Sequence, residues 1–164
     1  MIKDIEELSL NAWPALQTKL YDGWILRFAN GYTKRSNSVN PLYHSTIPLE
    51  TKIEYCKNVY QQQGLPVIFK LTNESYPQTI DKALEKRNYT RLDETSVRVL
   101  DLKQYQYRKP SEIRAEDAFS NEWLKDFFHC SNMDNPEDQR NATGIVNNIT
   151  GPVIVGQGAP ADRG

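Results

Sequence analysis

The sequence predicts an α+β domain in which short strands alternate with amphipathic helices, and three observations carry that prediction. Leu49, Ile53, Cys56 and Tyr60 step by four, three and four residues and stop before Gly64, the spacing of one helical face closed by a C-terminal glycine. Trp24-Ile25-Leu26-Arg27-Phe28 is rich in β-favouring residues and puts Trp24, Leu26 and Phe28 on one side of a pleat. Asn30-Gly31 follows, and both residues tolerate the positive φ of a two-residue hairpin turn, so a second strand is expected over Tyr32 to Val39.

From the N-terminus, Ile5, Leu8, Trp13, Leu16 and Leu20 recur at near-helical intervals, with Pro14 suited to a first helical turn and a break near Asn11. The hairpin comes next, then the helix from Pro48 to Gln63 and a strand at Val67 to Leu71. Ser75 is expected to cap a helix carrying Ile80, Ala83 and Leu84, and Thr95 to Leu102 alternates as a strand. The order to Leu102 is therefore α-β-β-α-β-α-β. Lys103 to Pro110 is polar, aromatic and basic and reads as a connector. Beyond it, Phe119, Trp123, Leu124 and Phe127 form a helical stripe, and Asn135-Pro136-Glu137-Asp138 opens a helix bearing Ala142, Ile145, Val146 and Ile149. Val153-Ile154-Val155 is the last strand candidate. The expected division is 1–102, a connector at 103–112, two helices within 113–149, and a Gly/Pro/Ala-rich tail at 150–164.

Composition bounds the partners. A chain of 164 residues is one ordinary domain, large enough to bury roughly two thirds of its unfolded surface. Twenty Lys and Arg against 21 Asp and Glu leave a net charge of -1, which disfavours nucleic acid and anionic membranes as partners. Apolar runs are too short for a membrane span. Two cysteines, Cys56 and Cys130, and an N-terminus lacking a signal pattern lead to the expectation of a reduced, cytoplasmic protein.

Few residues offer chemistry. His44, His129 and the two cysteines lack metal-ligand spacing, so no metal site is expected. Cys130 paired with His44 is less favoured than Cys130 as a small residue near a helix end, and Glu116-Asp117 reads as helix-dipole stabilisation rather than a base. Gly156-Gln157-Gly158 does not lead into a helix long enough to bind phosphate. Tyr105, Tyr107, Arg108 and Lys109 are read as a connector packing its rings, not as a nucleic-acid platform. The run from Tyr32 to Leu42, with Lys34, Arg35, Asn37 and Ser38, either lines a polar cleft or forms a solvated edge strand; residue types alone leave both open.

Trp24-Ile25-Leu26-Arg27, the string Gly31-Tyr32-Thr33-x-Arg35-x-Asn37-Ser38-Val39-x-Pro41-Leu42, the helix ending at Gly64-Leu65-Pro66 and the strand from Val67 resemble the N-terminal half of bacterial GNAT-family N-acetyltransferases of tandem or one-and-a-half-module type. The resemblance implies a GNAT-like mixed, mostly antiparallel twisted sheet flanked by helices. It implies transfer of an acetyl group from acetyl-CoA to a small-molecule or peptide amine, by direct attack of the neutral amine with a carboxylate or water taking the proton. It also implies an acceptor cleft lined by Arg35, Asn37, Ser38 and Trp123, with no residue assigned as catalytic. GNAT proteins are similar in seating the cofactor pyrophosphate on a glycine-bearing loop before a helix, yet the matching stretch from Val39 to Lys52 has no glycine. In the family's Tyr-x-Lys-x-Gly-Phe pattern, Leu84 stands at the tyrosine, Asn88 at the glycine and Tyr89 at the phenylalanine.

A working cofactor site is therefore expected in a second module whose opening helices are those at 119–149, with the resemblance ending before its loop, where Gln157-Gly158-Ala159-Pro160-Ala161 puts proline at the needed glycine. The chain is expected to hold the acceptor-side portion of such an enzyme. The alternative is a non-catalytic module that binds a small molecule or a protein. A homodimer through the Phe119/Trp123/Phe127 face is a further expectation.

Overall fold

The computed structural model describes residues 1–104, 106 and 113–158. It has helices α1 (Ile2–Ala12), α2 (Leu49–Gln62), α3 (Ile80–Glu85), α4 (Asn121–Cys130) and α5 (Pro136–Asn147). Strands β1 (Gln17–Tyr21), β2 (Trp24–Phe28) and β3 (Val39–Pro41) form one antiparallel sheet, and β4 (Ile113–Glu116) pairs antiparallel with β5 (Val155–Gly158). Val39 also bridges Phe69 in parallel, donating to the Ile68 carbonyl and accepting from Lys70. The first sheet is thus mixed and mostly antiparallel, and the fold is α+β.

The hairpin lies one turn earlier than Asn30-Gly31 suggests. β1 and β2 are joined by Asp22-Gly23, both at positive φ (43° and 79°), with Tyr21 opposite Trp24. Asp-Gly carries the same type I′ preference as Asn-Gly. Leu16 and Leu20 therefore leave the expected helix, Leu16 for the bend before β1 and Leu20 for the strand itself: α1 ends at Ala12, Pro14 comes after it, and Leu8 and Leu20 are exposed. Asn30 and Gly31 do adopt positive φ, and Tyr32 N–H closes on Ala29 O, yet the chain then runs into a loop with a 3-10 turn at Lys34–Ser36 rather than a strand. At position 23 a Cβ would lie 2.2 Å from the His44 carbonyl oxygen, so only glycine lets the loop before α2 pass this close.

Trp24, Leu26 and Phe28 of β2 meet Ile53, Cys56 and Tyr60 of α2, with Val39, Ile80 and Leu84 completing the core. The spacing read for α2 is the buried face. Burial pushes the Cys56 thiol up to about 12, leaving it a packing residue. Three helices end alike, in a 6→1 hydrogen bond around one left-handed residue: Gly64 after α2, Asn88 after α3 and Asn132 after α4. Asn88 thus does the conformational work of glycine in the family pattern, while Leu84 is core and Tyr89 sits edge-on against Phe69.

Further expected elements are corrected: Val67 to Leu71 contributes only the Phe69 bridge to Val39 rather than a strand. Ser75 does not cap α3; its hydroxyl accepts from Thr72 N–H in a tight turn, and Thr79 precedes the helix. Thr95 to Leu102 forms no strand, and Val97, Val99, Leu100 and Leu102 are exposed, because alternation supplies propensity but no described edge runs beside this segment to complete a ladder. The last strand is Val155–Gly158 instead of Val153–Val155. The connector residues 105 and 107–112 and the tail 159–164 lie outside the described residues, and with them Tyr105, Tyr107, Arg108, Lys109 and Pro160. Among the described residues no helix is long and apolar enough to cross a membrane.

A charged pair locks the hairpin to α2. The Lys52 side chain is 0% exposed, and its ammonium donates to Ser45 Oγ (2.6 Å), Asp22 Oδ2 (3.3 Å) and the Asp22 carbonyl, 4.2 Å over the Trp24 ring. The Asp22 carboxylate also accepts from Ile47 N–H (2.8 Å), Thr46 N–H (2.9 Å) and the hydroxyls of Ser45 (2.9 Å) and Thr46 (3.0 Å). These hydrogen bonds, the Ile47 amide first, hold the Asp22 carboxyl far below the usual carboxylate range, while burial lowers the Lys52 ammonium against the pull of Asp22. Because the folded value of Asp22 is depressed, its contribution is fully present above the unfolded carboxylate value of about 4 and is lost as pH falls below it. Urea midpoints should therefore drop as pH is lowered from 5 to 2.5, with a shallower drop in Asp22→Asn; equal slopes would show that this carboxylate is not held as described. Gly23→Ala should lower stability by more than the about 1–2 kcal/mol of a left-handed alanine alone, measured by the same denaturation.

Candidate functional site

The loop after β2 is built from the inside by Arg27 and Asn37. Asn37 is buried, its Oδ1 accepting from Ala29 N–H (2.8 Å) and Gly31 N–H (3.0 Å) and its Nδ2 donating to Thr33 O (2.7 Å). Arg27, also buried, donates to Arg35 O (2.8 Å), Leu10 O (3.4 Å) and Trp13 O. The guanidinium thus sits on carbonyls at the C-terminal end of α1, where a cation is favoured. Burial lowers it to about 10, still charged at neutral pH. The Trp13 indole donates to Thr33 Oγ1 (3.3 Å) from the same side.

This braced loop carries Asn30 and Tyr32 to the second helix pair. Asn30 Nδ2 donates to Asn141 Oδ1 on α5 (2.9 Å), Tyr32 Oη lies 3.8 Å from Met133 Sδ, and Asn148 Nδ2 reaches Ala15 O (3.3 Å). α5 presents Asn141, Ala142, Ile145 and Val146 as its buried face. Ser120 and Asn135 are the side-chain caps of α4 and α5, accepting from Trp123 N–H and Glu137 N–H.

Between the loop and the α4–α5 turn lies an open cleft of about 480 Å³, lined by Tyr32, Ser131 to Asn135 and Asp138. The C-terminus of α4 and the N-terminus of α5 both border it, so their dipoles oppose each other and the carboxylates of Asp134 and Asp138 set the sign of the site as negative. Burial, with Asp138 nearby, raises the Tyr32 phenol, which stays protonated and able to donate.

The polar residues that stand out in the sequence mostly serve the loop itself. Asn37 and Ser38 are buried and bonded to their own loop, Ser38 to Arg35 O and to Asn40 Nδ2. The Arg35 side chain is exposed while its carbonyl anchors Arg27, and Trp123 is half-buried in a stack on Phe127 (5.3 Å) beside Phe119. Neither belongs to the described lining of the cleft. Asp117 precedes the Ser120 cap in a bend and Glu116 belongs to β4, so this pair does not open a helix. His44 stacks on Tyr76 and Cys130 ends α4 exposed; among the described residues no cluster could hold a metal ion. Tyr32, Asp134 and Asp138 were legible only as spacing: a tyrosine inside the Gly31 to Leu42 string, and two acids flanking a helix start. Asn37→Ala should cost about 2–3 kcal/mol by leaving amides of the loop unpaired, and should broaden the amide resonances of Gly31 to Thr33 in NMR spectra; an unchanged loop would remove Asn37 from this role.

Residues 1–161 match the family model described as "Probable histone acetyltransferase Rv0428c C-terminal". The chain is 38% identical over 96 residues to the "Uncharacterized N-acetyltransferase YobR" of Bacillus subtilis (strain 168), covering 57% of this chain and 36% of that relative. It therefore spans about a third of the length of the curated relative it matches. No solved structure matches it. With the α+β architecture and a match over nearly its whole length, the chain belongs to the acetyltransferase family described as Rv0428c C-terminal.

Proposed function

We propose that the chain supplies the acceptor side of a GNAT-type N-acetyltransferase, and that the cleft between Tyr32 and the α4–α5 turn receives the amine. The observation that carries this reading is the lining of that cleft, with two carboxylates, a protonated tyrosine and no cationic side chain among its described residues. Such a lining favours an ammonium ion over an anion, and the carboxylates of Asp134 and Asp138 are then placed to hold it and to take the proton it must lose before attacking an acyl group. The family description, which names a histone acetyltransferase, supports a lysine-type amine on a peptide as the acceptor class. Asn37, Ser38 and the Arg35 carbonyl serve this reading by bracing the loop that carries Tyr32.

Acetyl-CoA enters through family membership. The described residues do not fit its pyrophosphate: the turn ahead of α2 has its amides bound to Asp22, and the stretch after β5 lies outside the described residues. That lack of fit favours a second reading, a non-catalytic module that binds an amine without acetylating it.

Titration of the ¹⁵N-labelled chain with Nα-acetyl-lysine N-methylamide should shift Tyr32 and Ser131 to Asp138. The double variant Asp134→Asn/Asp138→Asn should bind about 10-fold or more weakly, the loss of one or two charge-assisted hydrogen bonds. Unperturbed cleft residues, or undiminished affinity in the double variant, would reject the site. Addition of acetyl-CoA then separates the two readings, since acetylated product marks an enzyme and binding without product marks a module.

A further inference from the structure

The turn ahead of α2 has every feature of an anion site, and its anion is part of the chain. Thr46 and Ile47 point their backbone N–H groups to one spot just before the 14-residue α2, the hydroxyls of Ser45 and Thr46 converge there, and the Lys52 ammonium reaches it from the first turn of the helix. Successive amides, the positive end of a helix and a lysine are the general means by which proteins bind phosphate. Here the two amides, the two hydroxyls and the lysine close on the Asp22 carboxylate just ahead of α2, and the Asp22-Gly23 turn delivers that carboxylate from the neighbouring hairpin. The Lys52 side chain is fully buried, and among the described residues its ion-pair partner is Asp22 alone. A buried ammonium without a counterion is costly, so this position requires an anion of some kind.

We propose that Asp22 is a built-in substitute for a phosphate: its carboxylate fills the turn between β3 and α2 where the GNAT arrangement seats the cofactor pyrophosphate, so that this half of the chain excludes acetyl-CoA. The inference rests on reading the chain as a GNAT-type half, and it goes beyond the amine cleft by assigning the first module a cofactor site that is closed from within. Removal of the carboxylate should reopen a site for an inorganic phosphate.

Asp22→Gly is the suitable variant, because glycine keeps the positive φ of the turn and deletes only the carboxylate. In chloride buffer it should melt below the parent chain. Inorganic phosphate at matched ionic strength should raise its Tm by about 3–6 °C once tenfold above the dissociation constant, and should leave the parent chain and the double variant Asp22→Gly/Lys52→Met unmoved. If Asp22→Gly does not fold in chloride, recovery of the native spectrum in phosphate carries the same support. Equal phosphate responses in parent and variant, a response surviving in the double variant, or a variant that phosphate neither stabilises nor refolds would overturn the proposal. Because the readout is phosphate-dependent melting, failure here leaves the amine titration of the cleft standing, and the reverse also holds.

Discussion

Much of this structure depends on where one ammonium group is kept. Lys52 lies on the core-facing side of α2, fully buried and over the Trp24 ring, and a charge in that position is tolerated only with a fixed anion and further acceptors. Asp22 and Ser45 supply them, and in doing so they pin three pieces of chain that are remote in sequence: the β1–β2 turn, the loop before α2, and α2 itself. With that corner fixed, β2 lies flat on the Ile53/Cys56/Tyr60 face. Tyr60 then closes the other end of the strand, its hydroxyl bonded to both the N–H and the carbonyl of Arg27.

From Arg27 the constraint passes outward. Its backbone is held by Tyr60 and its guanidinium by carbonyls of α1, of Trp13 and of Arg35, so strand, helix end and loop are tied together through one residue. Asn37 completes the bracing of the loop, and the loop presents Asn30 and Tyr32 to the α4–α5 pair. The acidic cleft is thus a joint product of the two parts of the chain: a rigid loop from the first, and a helix turn with Asp134 and Asp138 from the second. The same corner that supports this geometry also fills the turn ahead of α2 with an internal carboxylate.

The parts of the fold governed by local pattern were legible in the sequence. The α2 face, the Trp24 to Phe28 strand and the Asn135-Pro136 helix start all come from spacing and side-chain type, and each is found where expected. The errors share a cause, which is competition between local signals that only tertiary partners decide. Leu16 and Leu20 fit a helical period, but Asp22-Gly23 turned that stretch into a hairpin; Asn30-Gly31 made its turn, but Asn37 captured the neighbouring amides before they could form a ladder. Thr95 to Leu102 alternates correctly and lacks a described partner strand. For the site, the structure buries Asn37 and Ser38 and bonds them to their own loop; polar type alone does not reveal whether a side chain faces a ligand or its own backbone. Asp22 left no mark beyond a turn signal, because its role depends on amides more than twenty residues away.

Direct NMR observation of lysine ¹H–¹⁵N ammonium groups tests most simply whether a charged Lys52 ammonium is sequestered in the core against Asp22. One lysine ammonium should exchange slowly with water at neutral pH and 25 °C, show NOEs to the Trp24 indole and Ser45, and carry the upfield shift of a proton lying over an aromatic ring. Uniformly fast exchange for every lysine, or a Lys52 resonance without contact to Trp24, would show that the ammonium is not held in the core.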